Sequence, residues 1–231
     1  MKTLGIVGGI APASTIEYYK YLIDAYRRKS PGGEYPPVVI NSIDPRRMLG
    51  MIDAGDYAGT VEYLVSALSV VADAGVDVAL FASNTPHLLF DEIQRLSPVP
   101  LVSIVDATRD EALRRGFRRV GLLGTGFTMR ATFYRDAFAA AGMTLVAPEP
   151  PDMEIVHEKY MSELVPGVFR DDTRGDILDV IHRMRDAHQL DGIVFGGTEL
   201  PLLIPPDSYP ELAILDTMRA HVDHTVTLLF S

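Results

Sequence analysis

Short apolar runs alternate with longer amphipathic segments along most of this chain. The apolar runs are rich in Val, Ile and Leu and show little polar alternation, which is typical of strands buried on both faces of a sheet. They predict strands at residues 3–7, 37–41, 78–82, 101–105, 119–123, 144–147 and 192–195, with 213–215 as a further candidate. The amphipathic segments predict helices at residues 14–28, 56–74, 87–94, 107–115, 129–141, 153–164, 172–187 and 217–229. Alternation of this kind predicts an α/β fold with parallel sheets.

The motifs at the strand ends occur twice in the same order. GIVGGIAP near the start is similar to GLLGTGFT in the middle, and FASNTPH is similar to VFGGTELP. Gly5 and Gly121 are 116 residues apart, while Ser83 and Gly197 are 114 residues apart. Similar offsets for unrelated landmarks indicate two similar α/β domains related by pseudo-two-fold symmetry. Because ligands bind beyond the carboxyl ends of such strands, we expect an active-site cleft between the domains.

Composition narrows the classes of function. The chain has 231 residues, a formal charge of −10, no basic patch and no basic tail, so we expect neither nucleic acid nor an anionic membrane as a partner. It has no cysteine, which excludes disulfides and thiolate metal sites. Neither a signal peptide nor an apolar run of about 18 residues is evident, so we expect a cytoplasmic protein. The scattered histidines do not suggest a metal site.

Five segments resemble the cofactor-independent aspartate/glutamate racemase family, in the family's order. They are MKTLGIVGGIAPASTIEYYKYL, SNTPHLLFDEI, VGLLGTGFTMRATFYRDAF, GGTELPLLI and DTMRAHVDHTV. The resemblance implies two similar α/β domains, no pyridoxal phosphate or other cofactor, a small carboxylate or amino-acid ligand, and a homodimer. It also implies a C-terminal helix that packs on the first domain, so we expect domains at 1–100 plus 212–231 and at 101–211.

The resemblance also implies a pair of catalytic positions, and neither holds the expected residue. Family members exchange the substrate α-proton between two cysteines, in motifs that read C-N-T-x-H and G-C-T-E. Those positions fall on Ser83 and Gly197 here. An alcohol has a pKa of about 16 against ~8.5 for a thiol, and this difference corresponds to about 10 kcal/mol. We therefore expect that a two-thiol racemisation does not operate in this chain.

Other residues of these motifs are candidates for catalysis or binding. His87 and Glu199 match the remaining family positions, and each has either a structural role or an acid–base role. The candidates for binding the substrate carboxylate come from the same turns and from SIDPRRM after the second predicted strand. They are Gly9, Arg46, Arg47, Asn84, Thr85, Thr125 and Thr198. Lys159 is a candidate for a cation that recognises an acidic side chain.

The sequence leaves three readings open. The first is an amino-acid racemase with altered bases. The second is a divergent lyase, decarboxylase or isomerase of the superfamily, since arylmalonate decarboxylases have one cysteine and a glycine at the other position; a serine variant of such a single-cysteine enzyme is included here. The third is a protein that binds a small carboxylate without catalysis.

Overall fold

The computed structural model describes residues 2–30 and 32–231, which divide into two compact units. The first unit comprises the residues up to Ser103 together with His221–Ser231, and the second comprises Ile104–Ala220. Each unit is a parallel sheet covered by helices. The prediction of a two-domain parallel α/β fold is therefore confirmed, while the pseudo-two-fold relation and the cleft stay predictions.

In the first unit, a three-stranded sheet has the order β2-β1-β3. All its pairs are parallel, with Val7 aligned to Asn41 on one side and to Phe81 on the other. Its elements are β1 (Leu4–Gly8), α1 (Pro12–Lys29), β2 (Val38–Ser42), α2 (Pro45–Asp53), α3 (Tyr57–Asp73), β3 (Val78–Phe81), a 3₁₀ turn (Thr85–Leu89) and α4 (Phe90–Leu96). The register brings the ends of β1 and β3 to the same edge of the sheet.

In the second unit, a four-stranded parallel sheet has the order β5-β4-β6-β7. Its elements are α5 (Ile104–Arg114), β4 (Arg119–Gly124), α6 (Gly126–Arg130), α7 (Phe133–Ala140), β5 (Thr144–Val146), α8 (Pro150–Lys159), a π turn (Tyr160–Leu164), α9 (Asp171–His188), β6 (Gly192–Gly196), α10 (Leu200–Leu203), 3₁₀ turns (Pro206–Ser208 and Pro210–Leu212) and β7 (Ile214–Asp216). Helix α11 (Thr217–Leu229) follows β7.

The strand predicted at 101–105 is wrong. Within this segment only Leu101 forms a bridge, to Ala79 in β3, and the chain is helical from Ile104. Pro100 lacks an N–H for a sheet, and the apolar side chains of Ile104 and Val105 lie buried on α5 instead. A short apolar run does not distinguish a buried strand from the buried face of a helix.

Other boundaries also differ from the sequence-based ones. Helix α2 was not predicted, and the predicted helix 129–141 is two helices, α6 and α7. The predicted domains at 1–100 plus 212–231 and at 101–211 stay a prediction. The compact units differ from them at 101–103 and 212–220, and β7 pairs with β6 in the second sheet. Among residues 2–30 and 32–231, no helix has both the length and the apolar character needed to cross a membrane.

Candidate functional site: two strand-end turns

The first turn follows β3 and holds a row of buried polar groups. The N–H of Ala82 still bonds to the carbonyl of Val7 at 3.0 Å, which ties the start of the turn to the sheet. Ser83, Asn84 and Thr85 follow, and all three are buried. Pro86 is the second residue of the 3₁₀ turn, where its missing N–H costs no hydrogen bond. The sheet thus holds a hydroxyl, an amide and a second hydroxyl at one strand end.

The buried side chain of His87 contacts residues of this turn. Its ring stacks on Phe90 with centroids 4.8 Å apart, and it is hydrogen-bonded to backbone groups of Asn84 and Ser83. Burial lowers the pKa of His87 to about 3, so the imidazole is neutral near pH 7. A base of that strength is poorly suited to removing a proton from carbon.

A second buried histidine lies next to His87 in the first unit. The rings of His221 and His87 have centroids 6.3 Å apart. His221 Nε2 lies 3.0 Å from the carbonyl oxygen of Val102, and its Nδ1 lies 3.0 Å from Tyr18 Oη. Because a carbonyl only accepts, Nε2 donates and Nδ1 accepts the Tyr18 hydroxyl proton. Burial lowers the pKa of His221 to about 3 as well.

The other binding candidates of the first unit differ in their surroundings. The N–H of Gly9 donates to Thr15 Oγ1 at 2.8 Å, at a positive φ of 84°. Arg46 forms two hydrogen bonds to the carboxylate of Asp44, and its side chain is 89% exposed. Arg47 lies over the ring of Tyr63, 4.5 Å from its centroid. Both arginines are held by near neighbours on exposed surface.

The second turn follows β6, and its central residue has no side chain. A Cβ atom built on Gly197 would lie 2.7 Å from both Cε2 and Cζ of Tyr160, and nearer still to the hydroxyl oxygen. Tyr160 Oη donates to Glu199 Oε2 and accepts from the Glu199 N–H at 3.2 Å. Thr198 Oγ1 lies 3.3 Å from each oxygen of the same carboxylate. The turn therefore surrounds Gly197 with a phenol, a carboxylate and a hydroxyl, all buried.

The remaining candidates of the second unit have local partners. Thr125 caps α6, since its Oγ1 accepts from the Thr128 N–H at 3.3 Å. His157 Nδ1 accepts from the N–H of Gly126 at 3.0 Å. Lys159 forms ion pairs with Asp176 at 3.2 Å and Glu163 at 3.5 Å. Lys159 is therefore engaged by acidic side chains of its own unit.

The structure thus places seven of the predicted residues in two turns, one in each unit, while Gly9, Arg46, Arg47 and Thr125 lie elsewhere. Ser83, Asn84, Thr85 and His87 form the first, and Gly197, Thr198 and Glu199 form the second. The side chain of Tyr160 contacts the second turn, but the sequence did not identify it as a site residue. It lies 39 residues before Glu199 in a helical segment, and no local pattern distinguishes it from a core tyrosine.

Comparisons with known proteins give the family. The family model for Asp/Glu/hydantoin racemases matches residues 7–225. A glutamate racemase of Aquifex aeolicus is 28% identical over 148 residues, which are 62% of this chain and 54% of that protein. The broad-specificity amino-acid racemase RacX of Bacillus subtilis is 25% identical over 167 residues, 70% of this chain and 67% of that one. This chain thus matches only about half the length of the Aquifex enzyme.

Two solved structures match over the full length of both chains. An aspartate racemase homologue from Pyrococcus horikoshii is 34% identical with a TM-score of 0.84, and a candidate Asp/Glu racemase from Yersinia pestis is 28% identical with a TM-score of 0.88. An aspartate racemase of Picrophilus torridus, at 21% identity and a TM-score of 0.76, shares the fold. With the family model matched from residue 7 to residue 225, this chain belongs to the Asp/Glu/hydantoin racemase family.

Proposed function

We propose that the protein is a racemase-like isomerase that removes and returns the α-proton of a small amino-acid carboxylate without thiols. The observation that carries this proposal is the family match over residues 7–225. The polar groups that follow β3 and β6 support it, because they stand where parallel α/β sheets bind their ligands. We propose acidic amino acids as the first substrates to test, since relatives named as glutamate racemase and aspartate racemase homologue match this chain.

In this proposal, neutral donors hold the substrate carboxylate. Asn84 and Thr85 provide an amide and a hydroxyl in the first unit, and Thr198 provides a hydroxyl in the second. Gly9 lies in the turn between β1 and α1, and Thr125 is the N-cap of α6, so both stand near helix N-termini, where backbone N–H groups favour anions. Arg46 and Arg47 contribute positive charge from the surface rather than a direct contact, because Asp44 and Tyr63 hold them.

The proton chemistry needs more than Ser83. An ordinary hydrogen bond contributes only about 1 kcal/mol, so neighbours do not make up the ~10 kcal/mol by which an alcohol is harder to ionise than a thiol. Ser83 therefore acts as a hydrogen-bond donor to the ligand, and His87 positions the turn. Gly197 contributes its backbone and its lack of a side chain, and Glu199 is the carboxylate available for acid–base work in the second unit.

The proposal also covers the cofactors, the oligomeric state and the location of the protein. It acts without pyridoxal phosphate or a metal, it forms a homodimer, and it works in the cytoplasm. Light scattering of the purified protein tests the dimer, and an undiminished activity after dialysis against a chelator and a carbonyl reagent tests the independence from cofactors.

Isotope exchange tests the proposed function directly. The purified protein is incubated in deuterated water with each enantiomer of Asp and of Glu, and deuterium at Cα is followed by NMR. We expect incorporation that scales with protein concentration and falls at least ~10-fold in Ser83→Ala. Ser69→Ala is the matched control, because the Ser69 hydroxyl donates within its own helix, to the carbonyl of Val65. Incorporation no faster than with heat-inactivated protein would contradict the proposal.

One observation favours a second candidate, the binding of a small carboxylate without turnover. The ring of Tyr160 fills the space beside Gly197, and Ser83 alone is a weak base for carbon. This candidate predicts thermal stabilisation by Asp or Glu, rising with ligand concentration as RT ln(1 + [L]/Kd), with no deuterium at Cα. Stabilisation accompanied by exchange would eliminate it.

A further inference from the structure

Packing rather than backbone conformation keeps residue 197 a glycine. Gly197 does not have a positive φ, so its backbone would accept other residues. The obstacle is the ring of Tyr160, which would lie within 2.7 Å of a Cβ atom, whereas real Cβ atoms essentially never come nearer than 3.0 Å to such a neighbour. The phenol tip thus occupies the volume that a side chain at 197 would take. It brings an O–H group to the position where the family resemblance puts a second thiol.

The hydroxyl is coupled to a buried carboxylate. It donates to Glu199 Oε2, and the Glu199 N–H donates back to it at 3.2 Å. Tyr160 is 1% exposed and Glu199 is 4% exposed. Bulk water therefore has little access to the proton between them, and the low local polarity strengthens the hydrogen bond.

The backbone at Tyr160 is irregular, which is a separate observation. Helix α8 ends at Lys159, and the chain continues as a π turn over Tyr160–Leu164 in which the Val165 N–H bonds to the Tyr160 carbonyl at 2.9 Å. Such turns are rare and are frequent at functional sites. The wider turn begins at the residue whose ring meets Gly197.

From this geometry we propose that Tyr160 and Glu199 form the acid–base pair of the second unit, with Tyr160 in contact with the substrate. This inference rests on the proposed function, because it assigns residues to that proton transfer. Tyr160 is the catalytic residue, and Glu199 acts through it as the store for the proton.

The step balances without any further reactant. The substrate Cα–H bond breaks, its proton moves to Tyr160 Oη, and the phenol proton moves to the Glu199 carboxylate. The electron pair of the broken bond remains on the substrate as an enediolate, and Glu199 becomes a neutral acid. The return step reforms a Cα–H bond from the Tyr160 proton, which Glu199 replaces. Carboxylates act as bases toward carbon acids in other enzymes.

The pKa of Tyr160 agrees with a phenol that stays protonated between the two transfers. Burial and the adjacent Glu199 carboxylate raise the pKa of Tyr160 well above its ordinary value. The phenol is therefore neutral near pH 7 and passes a proton on rather than losing one. Thr198 Oγ1, 3.3 Å from both carboxylate oxygens, helps to orient the carboxylate toward the phenol.

The test is deuterium incorporation at Cα in Tyr160→Phe, which keeps the ring and removes the relay. We expect exchange from one enantiomer to fall at least ~100-fold, which is the usual contribution of a positioned acid–base group. Tyr134→Phe is the matched control, since Tyr134 is a buried tyrosine of the same unit whose hydroxyl bonds to Thr108 and Thr217. It should retain exchange within about two-fold of wild type.

Glu199→Gln, which nearly preserves volume, decides the outcome if Tyr160→Phe does not fold by circular dichroism. We expect the same ~100-fold loss and a pH–rate profile without the acidic limb of the wild type, a change that mere loss of packing would not cause. Wild-type exchange that persists within two-fold in Tyr160→Phe, or an unchanged pH profile in Glu199→Gln, would overturn this inference alone. A wild type that does not exchange would overturn the proposed function as well.

Discussion

At the scale of single residues, two strand-end glycines are required for different reasons. Gly9 has a φ of 84°, and a Cβ there would lie 2.8 Å from the backbone nitrogen of Ile43. Backbone strain and a rigid neighbour both exclude other residues at that position. Gly197 has no such strain and meets the ring of Tyr160 instead. The need for glycine at position 197 therefore depends on the ring of Tyr160.

That dependence predicts coupling between residues 197 and 160. In the wild-type background, Gly197→Ala should lower the free energy of unfolding by about 1–3 kcal/mol, because it overpacks the site. In a Tyr160→Leu background the same change should cost at least ~1 kcal/mol less, since the ring is gone. Urea denaturation of the four proteins measures the cycle. Additive costs within about 0.3 kcal/mol would contradict a contact between these positions.

At the scale of elements, capping residues decide where several helices begin. Asp44 precedes Pro45 and accepts from the Arg46 N–H at 2.9 Å, which starts α2. This start signal was present in SIDPRRM but was read as a binding motif. In the second unit, Asp216 ends β7 and its Oδ1 accepts from the N–H groups of Met218 and Arg219 at 2.9 and 3.2 Å.

The Asp216 cap predicts a difference between two substitutions. Asp216→Ala should lower the free energy of unfolding by about 1–2 kcal/mol, because two N–H groups at the start of α11 lose their acceptor. Asp216→Asn keeps an acceptor and should cost distinctly less. Thermal and urea unfolding monitored by circular dichroism compare the two. Equal losses would show that the carboxylate charge matters rather than the cap.

Element boundaries were predicted only where the local pattern was unambiguous. Strands β1 to β7 were each predicted within one residue at either end, and β1, β3, β4 and β6 are buried apolar runs bounded by Gly or a polar turn. The segment 101–105 was wrongly predicted as a strand, because its buried apolar residues Ile104 and Val105 lie on α5 rather than in a sheet. The π turn at Tyr160–Leu164 has no local signal in the sequence.

At the scale of the whole molecule, three buried groups each make the stability depend on pH. His87 and His221 have folded pKa values of about 3 against an ordinary 6.5, because burial disfavours the charged imidazole. Asp216 has a folded pKa of about 6 against 3.8, because burial disfavours the carboxylate. The histidines bind protons only on unfolding below pH 6.5, which destabilises the fold in acid. Asp216 instead releases a proton on unfolding between pH 3.8 and 6, so it stabilises the fold as the pH falls through that range.

These signs predict that the three groups together take up about one proton on unfolding between pH 4 and 6. Two histidines gain a proton each and Asp216 loses one, so these groups lower stability by about 1.4 kcal/mol for each unit of falling pH. Asp216→Asn should steepen the measured slope by about 1.4 kcal/mol per pH unit, and His221→Asn should reduce it by about the same amount. Urea denaturation across this range measures it. A slope that is the same in all three proteins would contradict this assignment.

The sequence by itself determined the features that depend on near neighbours. Apolar runs and helical periodicity established the parallel α/β class, and the motifs established the family and the turns after β3 and β6. The absence of cysteine was equally plain from the printed chain. Each of these features follows from a local pattern or from the composition, and none of them requires knowledge of how distant segments pack.

Tertiary structure decided what surrounds those turns. Tyr160 meets Gly197 and Glu199 across 39 residues, and Tyr18 meets His221 across 203. Which tyrosine reaches a turn depends on how helices pack on a sheet, and that follows from the shape of the whole core rather than from the residues beside it. The buried, neutral state of His87 has the same origin, since burial is a property of the fold and not of the histidine.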